Sequence, residues 1–151
     1  MDDSELLAHA VTLAEDNVTA GGLPFGAVVA RNGEILGTGV NRALQDHDPS
    51  AHAELLAIRQ ACRRLEGLTL AGATVYASGQ PCPMCQASAL LAGVERLLFA
   101  AAASQWDGDA AVAALLGELA APFGERRRMP VVHIPIAGAE RAAGRLACHG
   151  G

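Results

Sequence analysis

Apolar residues along the chain change from helical spacing to alternation and back several times. From Ser4 to about Val18 they recur every three or four positions, which predicts an amphipathic helix with Ser4 as its candidate N-cap. The Asn32-Gly33 pair separates the apolar runs 26–30 and 34–40 and predicts a two-residue β-hairpin. Glycines inside these two strands indicate close backbone approach or bulges.

The rest of the chain continues to alternate between the two patterns. The predicted elements are a helix from the Asp48-Pro49-Ser50 entry to about Leu65, a strand at 74–77, a helix at 82–93, a strand at 95–100, a helix at 109–120, a strand at 129–135 and a closing helix at 137–147. Either Asp48 or Ser50 suits the cap of the second helix. The order of elements predicts an α/β fold, a three-layer α/β/α sandwich with a five-stranded mixed sheet.

Length and composition limit the class of protein. A chain of 151 residues is expected to form a single domain over residues 1–151. Although 51% of the residues are apolar, they occur in runs too short to cross a bilayer, so we expect no membrane association. The acidic start, Met1 to Glu5, lacks the features of a secretory signal, and we expect a cytoplasmic protein whose four cysteines form no disulfide.

Net charge bears on the choice of partner. The formal charge is -5 and the sequence pI is about 5.4. A protein that holds nucleic acid needs a basic surface to neutralise phosphates, and the single basic run here is Arg126-Arg127-Arg128. The charge therefore disfavours nucleic acid as a partner and favours a small molecule.

Two short motifs carry the candidate chemistry, His52-Ala53-Glu54 and Pro81-Cys82-Pro83-Met84-Cys85. One imidazole and two thiols leave the fourth position of a tetrahedral zinc ion open, which is typical of catalytic rather than structural sites. His52 is expected in the first turn of its helix, and residues two apart do not share a helix face. His52 and Glu54 can therefore serve one Zn²⁺ site only if it lies off the start of that helix. A redox cysteine pair or a structural metal clip remains the alternative.

The spacing H-x-E followed by P-C-x-x-C resembles the cytidine and nucleobase deaminase superfamily. The strings Pro24–Val28, Asp48–Glu54 and Pro81–Cys85 are most similar to its guanine deaminase branch, and the resemblance extends from about Leu6 to about Ala103. It implies a zinc-dependent hydrolytic deaminase of a free nucleobase, with guanine converted to xanthine and ammonia released. Zinc would be held by His52, Cys82 and Cys85, and Glu54 would move the protons.

The same resemblance suggests further site residues. It places Phe25, Asn41 and the backbone of Ala53 against the base, although Phe25 also suits an ordinary core position. In the loop after the fourth strand, Trp106 would contact the substrate, and Asp107 or Asp109 would help to carry a proton to the departing amine; Asp109 also suits an N-cap.

Other features of the resemblance concern assembly and the positions where this chain departs from the family. Gln80 stands where the family usually carries glutamate. The resemblance also implies a homodimer, in which the C-terminus is sometimes exchanged between subunits; this chain has no aromatic residue there.

Competing functions remain open from the sequence. Arg64–Gly67 and the Gly-Gly-Leu-Pro entry also resemble cytosine deaminases, so cytosine, isoguanine or a triazine-type heterocycle is a second substrate class. A tRNA adenosine deaminase comes third, because such enzymes usually carry valine at the position of Phe25. The alternative outside the enzymes is a structural zinc or redox module.

Overall fold

The computed structural model describes residues 1–102, 117–122, 125, 133–135 and 137. The backbone forms two compact units, Met1–Asp107 and Gly108–Gly151. In the second unit, residues 117–120 are helical, in agreement with the predicted helix at 109–120, whose other residues lie outside the described ones. The predicted closing helix also lies outside them, except for residue 137. The expectation of a single domain over 1–151 stays a prediction.

The first unit contains eight helices and strands within its described residues. They are α1 Asp3–Thr19, β1 Gly26–Arg31, β2 Glu34–Val40, α2 Ala43–Asp46, α3 Ala53–Leu65, β3 Thr74–Gly79, α4 Pro83–Leu91 and β4 Arg96–Ala101. The strand order is β2-β1-β3-β4; β1 is antiparallel to both of its neighbours, and β3 and β4 are parallel. The mixed sheet is as predicted.

The number of strands differs from the prediction. The described residues form a four-stranded sheet rather than a five-stranded one. The expected fifth strand at 129–135 lies mostly outside them, and its described residues, 133–135, are irregular. The short helix α2 was not predicted, because four residues are too few to establish a helical period.

The start of α1 corrects a prediction, whereas the hairpin confirms one. Asp2, not Ser4, is the N-cap: its carboxylate accepts a hydrogen bond from the Glu5 amide at 2.9 Å, and the Glu5 carboxylate accepts one from the Asp2 amide at 2.8 Å. This reciprocal capping box satisfies two backbone donors, whereas a serine cap at position 4 would satisfy one. At the hairpin, Asn32 and Gly33 adopt φ of 53° and 77°, as a two-residue turn with left-handed residues requires.

Helices cover both faces of the sheet. Val28 and Ala30 point to one side, where they pack with Leu6 and Ala10 of α1. Ala27, Val29 and Val75 point to the other side, where they join a larger apolar cluster with residues of α3 and α4. Because successive side chains of a strand point to opposite faces, both layers are built from the same strands. The three-layer α/β/α architecture is therefore present in this unit.

Glycines allow α3 to lie unusually close to the edge strand β2. A Cβ atom on Gly37 would come within 2.5 Å of the Ala57 carbonyl oxygen, and one on Gly39 within 2.3 Å of the Ala53 carbonyl oxygen. Ala53, Ala57 and Ala61, four residues apart, are fully buried. The predicted close approach is confirmed, and it fixes the start of α3 over the end of β2.

Among the described residues, no helix combines the length and the apolar character needed to cross a lipid bilayer.

Candidate active site

The starts of α3 and α4 bring the two predicted motifs together. His52 is the N-cap residue of α3, with φ -78° and ψ 151°, and Cys82 is the N-cap residue of α4, with φ -72° and ψ 166°. Both residues have an extended backbone and immediately precede their helices, so their side chains project beyond the first turn. The candidate metal donors therefore lie off the start of α3, as predicted.

The position of His52 differs by one residue from the prediction. His52 precedes the first turn of α3, and neither Asp48 nor Ser50 caps that helix. The Asp48 carboxylate instead accepts hydrogen bonds from the Ser50 amide at 2.8 Å and the Ser50 hydroxyl at 2.7 Å. This local Asx turn uses the capping side chains before the helix begins.

The donor atoms have spacings that fit a zinc ion. The Nδ1 atom of His52 lies 3.5 Å from the Cys82 sulfur and 3.6 Å from the Cys85 sulfur. All three donors lie within 4.8 Å of one another, and they are the one group of this kind among the described residues. Tetrahedral zinc, with bonds of about 2.3 Å to sulfur and about 2.0 Å to nitrogen, separates such ligands by about 3.6 Å.

The electrostatics of the cluster favour a thiolate. A hydrogen bond from the Cys85 thiol, followed by one from His52, lowers the pKa of Cys82 to about 4. The contact with Cys82, together with burial and the nearby Glu54 carboxylate, raises the pKa of Cys85. The bond to Cys82 also raises the pKa of His52. These shifts favour the thiolate form of Cys82, which is the form of cysteine that ligates metal.

Glu54 lies beside this group without belonging to it. Its side chain is 6% exposed, and its Oε2 atom accepts a hydrogen bond from the Cys85 thiol at 3.4 Å. Burial raises the pKa of the carboxyl group, because the charged form loses hydration. A carboxyl group whose pKa is raised accepts a proton more readily and can release it again later in the reaction.

A small cavity of about 80 Å³ opens at the cluster, and its lining comprises Phe25, Asn41, His52, Glu54, Gln80 and Cys82. Two predicted substrate contacts, Phe25 and Asn41, thus face the same space as Glu54. The lining does not include Ala53, which is fully buried. Gln80 does line it, so the departure from the family's glutamate places a neutral amide at the cavity.

Asn41 is held at both its side chain and its backbone. Its Oδ1 atom accepts a hydrogen bond from the Ala43 amide at 2.9 Å, and its own backbone amide donates to the Phe25 carbonyl at 3.0 Å. Its backbone carbonyl accepts from the Asn17 side chain at 2.9 Å. Sequence reasoning did not identify Asn17; the available signal was a poor helix former in the last turn of a helix.

Trp106, Asp107 and Asp109 lie outside the described residues, as does the C-terminus, so their suggested roles stay predictions.

Comparison with known proteins agrees with this site. Residues 1–101 match the family model of the cytidine and deoxycytidylate deaminase zinc-binding region. The chain is 42% identical over 102 residues to guanine deaminase of Bacillus subtilis, and the match covers 67% of this chain and 65% of the relative. It is 38% identical over 98 residues to tRNA-specific adenosine deaminase of Aquifex aeolicus, covering 65% of either chain.

The same likeness extends to a solved structure. The X-ray structure of Bacillus subtilis guanine deaminase superposes with a TM-score of 0.85 at 34% identity, covering 100% of this chain and 96% of that one. Zinc is the cofactor of the matched region, and His52, Cys82 and Cys85 are the residues that could hold it. The chain belongs to the cytidine and nucleobase deaminase superfamily.

Proposed function

We propose that the protein deaminates a free nucleobase by hydrolysis and that its substrate is guanine, which becomes xanthine and ammonia. The observation that carries this proposal is the buried Glu54 carboxyl group, which lines the same cavity as His52 and Cys82 and contacts the Cys85 thiol. A proton-transfer group beside three metal donors and a cavity is suited to add water to a ring carbon.

In this mechanism His52, Cys82 and Cys85 would hold zinc, which would supply Lewis-acid activation of water. Glu54 takes a proton from the attacking water as its oxygen bonds to the ring carbon that carries the amine. Glu54 returns this proton to the ring nitrogen, then takes the second proton from the added hydroxyl group and gives it to the amine. The carbon–nitrogen bond breaks, ammonia leaves, and the water oxygen remains as the new carbonyl.

Phe25 and Asn41 hold the base in the cavity. The Oδ1 atom of Asn41 is occupied by the Ala43 amide, which fixes the orientation of the side-chain amide. No partner for its Nδ2 group occurs among the described residues, so that group can donate to an acceptor on the base. Phe25 supplies an apolar wall against which a planar ring can stack.

Two observations support guanine over an RNA substrate. The likeness to Bacillus subtilis guanine deaminase covers the whole chain at a TM-score of 0.85. The net charge of -5 also opposes the binding of phosphates. The second candidate is a tRNA adenosine deaminase, favoured by the 38% identity to the Aquifex aeolicus enzyme. Because the matched region covers 65% of each curated relative, the activity of the whole protein is part of the proposal.

Ammonia release measured side by side distinguishes the substrates. The assay uses the zinc-loaded protein with guanine, cytosine, isoguanine and a tRNA anticodon stem-loop at matched concentrations. We expect guanine to have the largest kcat/KM. Turnover of the stem-loop without turnover of guanine would contradict the proposal and favour the second candidate; turnover of cytosine alone would place the enzyme in the heterocycle class.

We also propose that the protein is a cytoplasmic homodimer. On α4, the side chains of Leu90 and Leu91 are 78% and 86% exposed, and large apolar side chains in adjacent exposed positions are typical of an interface. Sedimentation at micromolar concentration should give twice the chain mass. Leu91→Asp should shift the protein towards the monomer, whereas Leu44→Asp, at an exposed leucine of α2, should not. A wild-type monomer would contradict the proposal.

A further inference from the structure

The turn that follows α1 carries Phe25 into the cavity, and a buried asparagine holds this turn. Asn17, in the last turn of α1, is 8% exposed. Its Nδ2 group donates one hydrogen bond to the Leu23 carbonyl at 2.8 Å and one to the Asn41 carbonyl at 2.9 Å. A single side-chain amide thus joins two segments, each of which supplies a wall of the cavity.

Neighbouring hydrogen bonds continue the same connection. The Asn41 amide donates to the Phe25 carbonyl at 3.0 Å, and the Gly26 amide donates to the Ser78 hydroxyl at 3.0 Å. The stretch from Leu23 to Gly26 is therefore fixed at three points. The contact from Asn17 is the one that ties it to both α1 and the end of β2.

The local sequence is adapted to this arrangement. A Cβ atom on Gly22 would come within 2.5 Å of the Asn17 Nδ2 atom, so a glycine is needed for the asparagine to reach both carbonyls. The Gly22 amide also donates to the Asn17 carbonyl at 2.8 Å, which closes the end of the helix over the side chain. An asparagine lowers helix propensity, so helix formation alone does not account for its presence here.

We propose that Asn17 is a positioning residue, which, together with the direct hydrogen bond from the Asn41 amide to the Phe25 carbonyl, holds the Phe25 turn against the end of β2 and thereby determines the affinity for the planar base. The inference rests on the proposed function, because it assigns base contacts to those two residues. Asn17 itself touches neither the base nor the metal donors. Its loss should weaken binding in the ground state and the transition state alike, which raises KM and changes kcat little.

Two variants of Asn17 distinguish the effect of its two donated hydrogen bonds from the effect of the space that its side chain fills. Asn17→Leu keeps the approximate shape and removes both donors, and Asn17→Asp keeps the shape but presents a carboxylate to two carbonyl oxygens. We expect KM for guanine to rise about 10-fold or more in both variants, with zinc content retained. Gln60→Leu is the matched control: it removes another amide-to-backbone bond, the 2.7 Å contact with the Thr38 amide, away from the cavity. Its KM should stay at the wild-type value.

A readout independent of turnover keeps this inference separate from the proposed function. Amide hydrogen exchange on the zinc-loaded Asn17→Leu protein should be faster at Asn41 and Gly26 than in wild type, with α4 unchanged. Unchanged exchange there, or a wild-type KM in the presence of guanine turnover, would overturn the inference. Faster exchange in a protein that turns over no guanine would leave the positioning intact and overturn the proposed substrate.

Discussion

At the scale of single residues, burial decides which carboxyl group can do chemistry. Glu54 is 6% exposed and contacts the Cys85 thiol, whereas the carboxylate of Asp48, just before the same helix, accepts a hydrogen bond from Ser50 in a local turn. Burial raises the pKa of Glu54, and the hydrogen bonds from Ser50 lower the pKa of Asp48. Two acids of one motif are thereby assigned to proton transfer and to local folding.

Replacing Glu54 with glutamine tests this assignment. Glu54→Gln keeps the shape of the side chain but cannot accept the proton of water, so we expect kcat to fall by about 10²–10⁴-fold. Zinc content should stay at the wild-type level, because Glu54 is not one of the three donors. Metal analysis beside steady-state kinetics makes the comparison. The control, Glu34→Gln, removes an exposed partner of Arg64 and should retain wild-type kcat.

Residue spacing explains which parts of the site could be predicted. His52, Cys82 and Cys85 were identifiable because metal donors have a restricted chemistry and recur at short intervals. Asn17 was not, since its partners are backbone carbonyls, one of them 24 positions away, and backbone groups leave no mark in the sequence. For the same reason the sequence could not decide which residue caps α3.

At the scale of elements, the metal donors lie at the N-termini of α3 and α4, and neither N-terminus has a side-chain cap hydrogen bond. His52 and Cys82 occupy the N-cap positions, where serine or aspartate would ordinarily satisfy backbone amides. The residues that would normally stabilise these helix starts are thus given over to the metal site. A bound zinc ion would join the starts of α3 and α4.

Removal of one donor should therefore affect both metal content and stability. We expect Cys85→Ser to lose zinc and activity and to unfold at a lower temperature, because a ligand that binds only the folded state stabilises it. Cys62→Ser, at a half-buried cysteine outside the donor group, should retain zinc and activity. Metal analysis and thermal unfolding measure the difference. Full zinc content in Cys85→Ser would contradict the assignment of this donor.

The packing of α3 on β2 makes a separate prediction. A Cβ atom on Gly39 would lie 2.3 Å from the Ala53 carbonyl oxygen and 2.6 Å from the Ala57 amide nitrogen, and neither backbone can move alone. We expect Gly39→Ala to lower the free energy of unfolding by about 1–3 kcal/mol. Gly67→Ala is the control, since its nearest neighbour is 3.8 Å away, and its effect should stay within about 0.5 kcal/mol. Urea unfolding measures both; equal effects would show that the contact tolerates a methyl group.

Elements with a strong local signal were predicted well. The Asn-Gly hairpin and the amphipathic α1 have clear patterns, and the short run at 74–77 favours the strand β3 because it follows a turn and contains β-branched and aromatic residues. The number of strands depends instead on a weak pattern near the end of the chain, where alternation extends over few residues. The capping of α1 by Asp2 rather than Ser4 depends on the partner at Glu5, so the pair and not the single residue had to be considered.

At the scale of the whole molecule, net charge distinguishes between the two candidate substrates better than family resemblance does. The matched sequence region is shared by relatives named for guanine and for tRNA adenosine, so sequence identity over that region does not select between them. A net charge of -5 opposes long-range attraction of a polyanion. A neutral base has no long-range electrostatic interaction with this net charge, so only the contacts in the cavity determine its affinity.

Salt dependence therefore distinguishes the two substrates. Binding of RNA releases counterions, so the logarithm of the apparent affinity falls linearly as the logarithm of salt concentration rises, with a slope of about -0.7 per neutralised phosphate of a single strand. Guanine is uncharged at neutral pH, and we expect its KM to change by less than about twofold between roughly 50 mM and 200 mM potassium chloride. Steady-state kinetics across this range, with guanine and with the anticodon stem-loop, provide the measurement.

A salt-independent KM for guanine, together with stem-loop turnover absent at every salt concentration, would agree with the free-base assignment. Efficient stem-loop turnover that weakens steeply with salt would contradict it and would locate a phosphate-binding surface despite the negative net charge.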